Sequence, residues 1–364
     1  MSLLSMLVSY VIPFLLILSV VVFVHEFGHY WVARRNGVRV EVFSIGFGPE
    51  LFGWTDRRGT RWKFSLIPLG GYVRMRGEEA AAEGSAGDPE SFAAKTVWQR
   101  MAIVAAGPLA NFLLAILVLT VLFLFVGRPF TPAVVGDVVP DSPAARAGLL
   151  PGDRILEVDG RKVRSFEDLQ LVVRDRPEVP LRFVVERDGE RLTFTITPRR
   201  EVVEGRFGRV EIGLIGVTRS GFAFRRSPPY LAPVEATAET LRIIGLTVRA
   251  LWQMVTGERG TQELGGPLRI AQMSGEIASE GLLPALWFVA ILSINLGLIN
   301  LFPIPILDGG HLLLYTVEAV RGRPLSEKSQ ELAFRLGFAV VLSLLLFATW
   351  NDLRNLEIFS FLVE

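Results

Sequence analysis

An uncharged run from Met6 to Val24 leads directly into His25-Glu26-Phe27-Gly28-His29, so three ionisable side chains must sit at the end of a helix that water does not surround. Positions i and i+4 of an α-helix project from one face, which lets His25 and His29 bind one metal ion together. Glu26 is rotated by about 100° from His25. Its carboxylate is then free to hold and deprotonate a water at the metal, as in H-E-x-x-H hydrolases. The plainer reading is two histidines hydrogen-bonded in a buried core. It has to accommodate their rarity, since the chain holds only three histidines in 364 residues.

A run of this length crosses the roughly 30 Å hydrocarbon layer of a bilayer, and Tyr30, Trp31, Arg34 and Arg35 supply an interfacial anchor at its end. It is not a cleavable signal peptide, because no basic residue precedes it and no small-residue cleavage site follows it before the histidines. Ionisable residues within a membrane helix are costly and mark function by default. At about 1.5 Å per residue, His29 lies roughly 8 Å below Arg34, inside the membrane but near one surface. Half of the residues are hydrophobic, yet 21% are charged, too many for a protein confined to the bilayer. A net charge of +1 points to no nucleic acid and no polyanionic partner. With no cysteine, metal ligands must come from His, Asp and Glu.

The chain divides into a first span with its motif (1–34), a β-hairpin region and loop (35–96), a second span (97–127), a β-rich domain (132–218), an amphipathic helix and loop (228–280), a third span running into a broken segment (284–310), a connection (311–331), a fourth span (332–351) and a tail (352–364). In the second span Ala102, Ala106 and Ala110 form a small-residue stripe that suits close helix packing, and Asn111 could hydrogen-bond near the site. The third span ends in Asn300-Leu301-Phe302-Pro303-Ile304-Pro305-Ile306-Leu307-Asp308-Gly309-Gly310-His311. Two prolines two residues apart break the helix. Broken backbone at membrane depth is tolerated where protein buries it or where it lines a wet cavity, which suits an active-site wall. A zinc hydrolase needs three protein ligands and one open position. Asp308 and His311 both qualify as the third ligand by chemistry, and Asp-Gly-Gly would also serve as a plain turn.

These motifs together resemble the site-2 proteases, intramembrane zinc metalloproteases, in the bacterial branch typified by the regulator of sigma-E protease. Val24 to His29 carries the first motif, Asn300 to Gly309 the second, and Gly107-Pro108-Leu109-Ala110-Asn111 is similar to the family's second helix. The resemblance implies one zinc ion per chain, with Asp308 rather than His311 as third ligand, and Asn300 and Pro305 holding the substrate strand. It implies as substrates transmembrane proteins of the anti-sigma factor type or remnant signal peptides, pre-cleaved by another protease, in regulated intramembrane proteolysis.

Residues 132–218 alternate around a Pro-Gly-Asp turn at 151–153 and an Asp-Gly turn at 159–160, with a helix expected over Ser165 to Arg174 and a hairpin over Leu181 to Thr197 turning at Asp188-Gly189. This stretch resembles a PDZ domain in the circularly permuted bacterial arrangement, and Gly213, Leu214, Ile215 and Gly216 fall in its peptide-binding strand. Such a domain adds an extended peptide to a sheet edge; a form that binds no peptide and only obstructs access is the other reading. Relatives with two tandem PDZ domains offer no mechanism for a chain with room for one.

Eleven basic residues between the first two spans, from Arg34 to Arg100, place that loop in the cytoplasm by the positive-inside rule. Both termini and the PDZ-like domain then lie outside a bacterial cytoplasmic membrane, with the active site toward the cytoplasm. The pattern over Pro233 to Val255 is read as a helix on the outer surface, since its uninterrupted apolar stretch is far short of a span. Residues 38–76 alternate like strands and are rich in glycine, Gly46 and Gly48 among them. In the family such a sheet is thought to pair with the substrate, replacing hydrogen bonds lost when a helix unwinds; a sheet that merely plugs the cytoplasmic mouth is the plainer account. The expectation is thus a polytopic α-helical membrane protein of four spans, with a membrane-associated β-hairpin, an inserted extracytoplasmic PDZ domain and Glu26 as general base. A PDZ-bearing membrane scaffold with a vestigial metal site is the alternative.

Overall fold

Pro13 in the first turn and Arg34 and Arg35 in the last frame the first helix, the arginines complementing the helix dipole. The computed structural model describes residues 7–78, 88–205, 208–258, 260, 265–323 and 325–355. Of the loop expected over 78–96, residues 79–87 lie outside them, as do residues 356–364 of the expected tail.

After a π-helical turn, Leu7–Val11, the chain runs through α1 (Ile12–Arg35), β1 (Val40–Thr55), β2 (Arg61–Met75) and α2 (Val97–Phe125). Next come β3 (Arg128–Phe130), β4 (Val135–Val138), α3 (Pro143–Ala147), β5 (Arg154–Val158), β6 (Arg161–Lys162) and α4 (Phe166–Arg174). Strands β7 (Leu181–Arg187), β8 (Glu190–Ile196), β9 (Arg199–Gly205), β10 (Gly208–Leu214), β11 (Val217–Arg219) and β12 (Ala223–Arg225) follow. The chain then continues as α5 (Ala232–Val255), α6 (Pro267–Ser279), α7 (Leu282–Asn300), α8 (Asp308–Arg321) and α9 (Glu327–Asn355). Among the described residues four helical stretches are long and apolar enough to cross a membrane: Val8–Arg35, Val97–Phe125, Leu282–Asn300 and Lys328–Arg354. The chain forms two compact units, one of residues 1–122 and 229–364, the other of residues 123–228.

In the first unit β1 and β2 are long and bent, so they pair more than once. Residues 42–45 pair with 71–74 on one side and 61–64 on the other, and 61–65 pair in turn with 50–55. This leaves 71–75 and 50–55 as the edges. The inner part packs its apolar side chains, Val38, Val40, Phe43, Val73 and Met75, against Tyr30 and Ala33 of α1 and Ile103 and Val104 of α2. The outer part exposes Phe47, Leu51, Phe52, Phe64, Leu66 and Ile67, an apolar surface suited to lipid.

The expected break in the third span is present. Helix α7 stops at Asn300, residues 301–307 are not helical, and α8 opens at Asp308. The span itself covers Leu282–Asn300, the broken segment follows it, and the connection at 311–331 is largely helical. Asp308 occupies the first turn of α8, where the helix dipole favours a carboxylate. Gly309 and Gly310 let that turn sit on the broken segment: a Cβ on Gly309 would collide with Leu301 and one on Gly310 with Ile304. Elsewhere Asp352, almost fully buried near the end of α9, accepts the Gly266, Leu268 and Arg269 N–H groups at 2.8, 3.1 and 3.1 Å and so caps α6 from a distance. Thr247 of α5 donates to Asn295 Oδ1 of α7 at 3.3 Å, fastening the amphipathic helix to the body of that span.

The second unit is built on the sheet β6-β5-β7-β8, with the smaller pairs β9-β10, β4-β11 and β3-β12. Ser165 and Asp168 form a capping box at the start of α4. Leu149, Ile155, Leu169, Leu181, Phe183, Val185 and Ile196 fill its core. The buried Asp153 carboxylate takes two hydrogen bonds at 2.7 Å from Arg187 and a third from the Leu150 N–H. Burial opposes its ionisation, but these bonds outweigh it and hold the carboxyl below its ordinary range.

Candidate metal centre

His25 and His29, each 7% exposed, present their Nε2 atoms 3.3 Å apart on the inner face of α1. Asp308 Oδ2 lies 3.2 Å from His25 Nε2 and 3.5 Å from His29 Nε2. With metal–ligand bonds of 2.0–2.2 Å, the ligand atoms of a tetrahedral zinc site stand about 3.3–3.5 Å from one another. The three donors already have that spacing. Asp308 Oδ2 is also buried without a hydrogen-bond partner, an orphan that a cation would satisfy. The residues therefore fit a zinc ion.

The supporting contacts fix which ring nitrogen faces the centre. His29 Nδ1 lies 2.9 Å from the Ile103 carbonyl oxygen; donating there leaves Nε2 free as a ligand. His25 Nδ1 lies 3.2 Å from the Asn111 side-chain amide, whose Oδ1 is buried and unpaired. Half a turn of that amide brings Oδ1 to Nδ1–H and fixes the matching tautomer of His25. Ser293 donates to the Asn111 carbonyl at 2.8 Å, tying α7 to α2 at this level. The three donors thus come from two elements widely separated in sequence, α1 and α8, braced by α2 and α7.

Helix α2 approaches α1 closely because both lack side chains where they meet. A Cβ on Gly28 would collide with the Ala106 carbonyl and lie 2.8 Å from Ala110 Cβ, which gives the alanine stripe its packing role. A Cβ on Gly107 would collide with His29 Nε2 and stand 2.9 Å from His25 Cε1. Glu26 meets the inner edge of the sheet: the Val73 N–H reaches it, and a Cβ on Gly71 would lie 3.1 Å from Glu26 Cγ. The roles of Gly71 and Gly107 did not emerge from the sequence. The signal available was Gly70-Gly71 inside a strand pattern, which marks close backbone approach.

Asn300, at the last turn of α7, places its amide nitrogen 3.3 Å from His25 Nε2, directly at the centre. Pro305 lies instead in the broken segment, packed against Gly337 of α9 and Gly310 of α8. Gly46 and Gly48 sit at the bend of β1, both at positive φ, against Ser65 and Ile67 of β2. His311 turns onto the rings of Tyr315 and Phe334, at 6.3 and 5.1 Å, and is outside the converging donor set. Gly213 to Gly216 line a cavity of about 210 Å³ with Phe166, Leu169 and Val173 of α4.

The sequence profile of Peptidase family M50 matches residues 13–344, from within the first span to within the fourth. The chain belongs to this family, the site-2 proteases. A protein of Agrobacterium fabrum, named as a zinc metalloprotease, is 46% identical over 96% of this chain and 97% of its own. One of Rhizobium meliloti with a like name is 47% identical over 97% and 99%. Metalloprotease MmpA of Caulobacter vibrioides is 41% identical over 96% and 97%. This site-2 protease is accordingly a metalloprotease, and its four apolar helices mark an integral membrane protein. Among solved structures, the PDZ domain of the SdrC-like protein from Listeria monocytogenes is 22% identical, covering 25% of this chain and 88% of that one, with a TM-score of 0.20.

Proposed function

We propose that this site-2 protease holds one zinc ion on His25, His29 and Asp308 and hydrolyses peptide bonds within or near the transmembrane segments of other membrane proteins. The observation that carries this reading is the spacing of three buried donor atoms, 3.2 to 3.5 Å apart, on and beside a membrane-spanning helix. A zinc ion there would supply Lewis acidity, making water a nucleophile near neutral pH and polarising the scissile carbonyl.

The chain's own groups do the rest. Glu26 takes a proton from the attacking water and passes it to the leaving amine nitrogen. Asn300 donates from Nδ2 to the carbonyl oxygen as it gains charge. The substrate helix must unwind to expose its peptide bonds, and the edge at residues 71–74, which runs beside Glu26, supports pairing of the opened strand there. Family membership favours this protease over a scaffold with a vestigial site.

In this reading the second unit is a PDZ-type domain whose cavity along Gly213–Gly216 receives an extended chain end, as the groove between α4 and β10 supports. The basic loop between the first two spans supports a centre that faces the cytoplasm of a bacterial inner membrane, with the PDZ-type unit outside. Substrates in this reading are transmembrane proteins of the anti-sigma factor class or remnant signal peptides, shortened first by another protease, in regulated intramembrane proteolysis. The test is cleavage of a synthetic transmembrane peptide by purified protein in proteoliposomes, with zinc measured on the same sample. Glu26→Gln should abolish cleavage and keep zinc. Residual proteolysis by a Glu26→Gln sample of full zinc content refutes the assignment.

A further inference from the structure

The second span ends at Phe125, and within three residues the chain carries Arg128, the first residue of β3. Its cross-strand partner is Arg225 of β12, and Arg226 follows directly. Like charges placed opposite each other on a two-stranded ladder repel, so a chain that pairs them invites an anion between them. No acid answers them: among the described residues none of the three arginines makes an ion pair or a side-chain hydrogen bond, and all three are exposed.

Their position is held by backbone. The Ser227 N–H donates to the Phe123 carbonyl at 3.0 Å, in the last turn of the span helix. Gly127, at φ +110, lies so close to the returning strand that a Cβ on it would stand 2.7 Å from the Arg225 carbonyl carbon and 2.9 Å from the Arg226 nitrogen. The three guanidinium groups are thereby rooted about one helical turn from the end of a bilayer-crossing segment, at headgroup level. Phe125 is 70% exposed and Phe224, opposite Pro129 on the other face of the ladder, 56% exposed, so apolar groups flank the arginines. An interfacial site for lipid has this pairing of basic and apolar side chains.

We propose that Arg128, Arg225 and Arg226 form a binding site for the headgroup phosphate of an anionic phospholipid. The paired guanidinium forks of Arg128 and Arg225 grip the phosphate oxygens, and Arg226 adds charge. The exposed phenylalanines contact the upper acyl chains.

The test is hydrogen exchange of residues 123–130 and 222–228 in the full-length protein, held in nanodiscs of phosphatidylcholine with or without phosphatidylglycerol. Phosphatidylglycerol should slow exchange in these two segments. Replacing all three arginines with glutamine should remove the protection, the lipid requirement rising about fivefold for each arginine lost, the scale for basic residues at an anionic membrane surface. If that variant does not fold, Arg128→Lys with Arg225→Lys keeps the charge and should need several-fold more phosphatidylglycerol for equal protection. An unchanged requirement refutes the paired-fork geometry. Protection that persists in the glutamine variant, or that inorganic phosphate reproduces in phosphatidylcholine discs, overturns the lipid site.

Discussion

Gly107→Ala adds one methyl group in the middle of α2, where alanine is the better helix former by about 0.5–1 kcal/mol. On an isolated helix the change is stabilising. Here the new Cβ has His29 Nε2 in its way and stands 2.9 Å from His25 Cε1, where ordinary contact begins at 3.4 Å. Restoring van der Waals distance moves the His29 ring by about 1 Å, several times the ±0.2 Å within which metal–ligand distances normally fall. The displaced atom is the one that would bind the metal. A shift of that size at a reacting centre costs about a hundredfold in rate, and zinc affinity should fall by about 10- to 100-fold. Zinc retention against a competing chelator and cleavage of a transmembrane peptide would be measured on the same preparation, with helix content by circular dichroism. The expected result is unchanged helix content with lost zinc and lost activity. A Gly107→Ala protein with wild-type zinc affinity and a rate within about twofold of normal would show that the helix-to-helix contact does not position the ligands.

Asp308→Ala should lose most of its zinc while His311→Ala keeps it, by elemental analysis after dialysis; the reverse would make His311 the third ligand. Asn300→Ala should retain zinc and lower kcat by about a hundredfold with little change in KM, the cost of one oxyanion donor; a pure KM effect in peptide cleavage would make it a binding group. Asp153 has a depressed folded-state pKa, so its contribution to stability is fully present above the unfolded value near 3.9 and is lost as pH falls through the lower folded value. Hydrogen exchange of β5 and β7, corrected for intrinsic rates, should therefore accelerate below about pH 4, and in Asp153→Asn that pH dependence should disappear.

How far the sequence reached depended on whether the chemistry was local. His25, Glu26 and His29 share one and a half helical turns, so their spacing alone states what they can do, and an apolar run states where. The break before Asp308 was legible for a similarly local reason, since Pro303 and Pro305 forbid helix whatever surrounds them. Which of Asp308 and His311 turns inward was not legible from the residues, because the phase of a new helix after seven irregular residues depends on how its first turn seats. Gly309 and Gly310 decide it by letting α8 rest on Leu301 and Ile304, which directs Asp308 to the histidines and His311, one turn on, to Tyr315 and Phe334. Gly46 and Gly48 were singled out among the hairpin's glycines, yet the glycine beside Glu26 is Gly71. Strands β1 and β2 pair in two registers at once, and a period-two pattern carries no information about which segment becomes the inner edge. A residue whose role is to be absent, as at Gly71 and Gly107, is recognisable only once the side chain that would occupy its space has been placed.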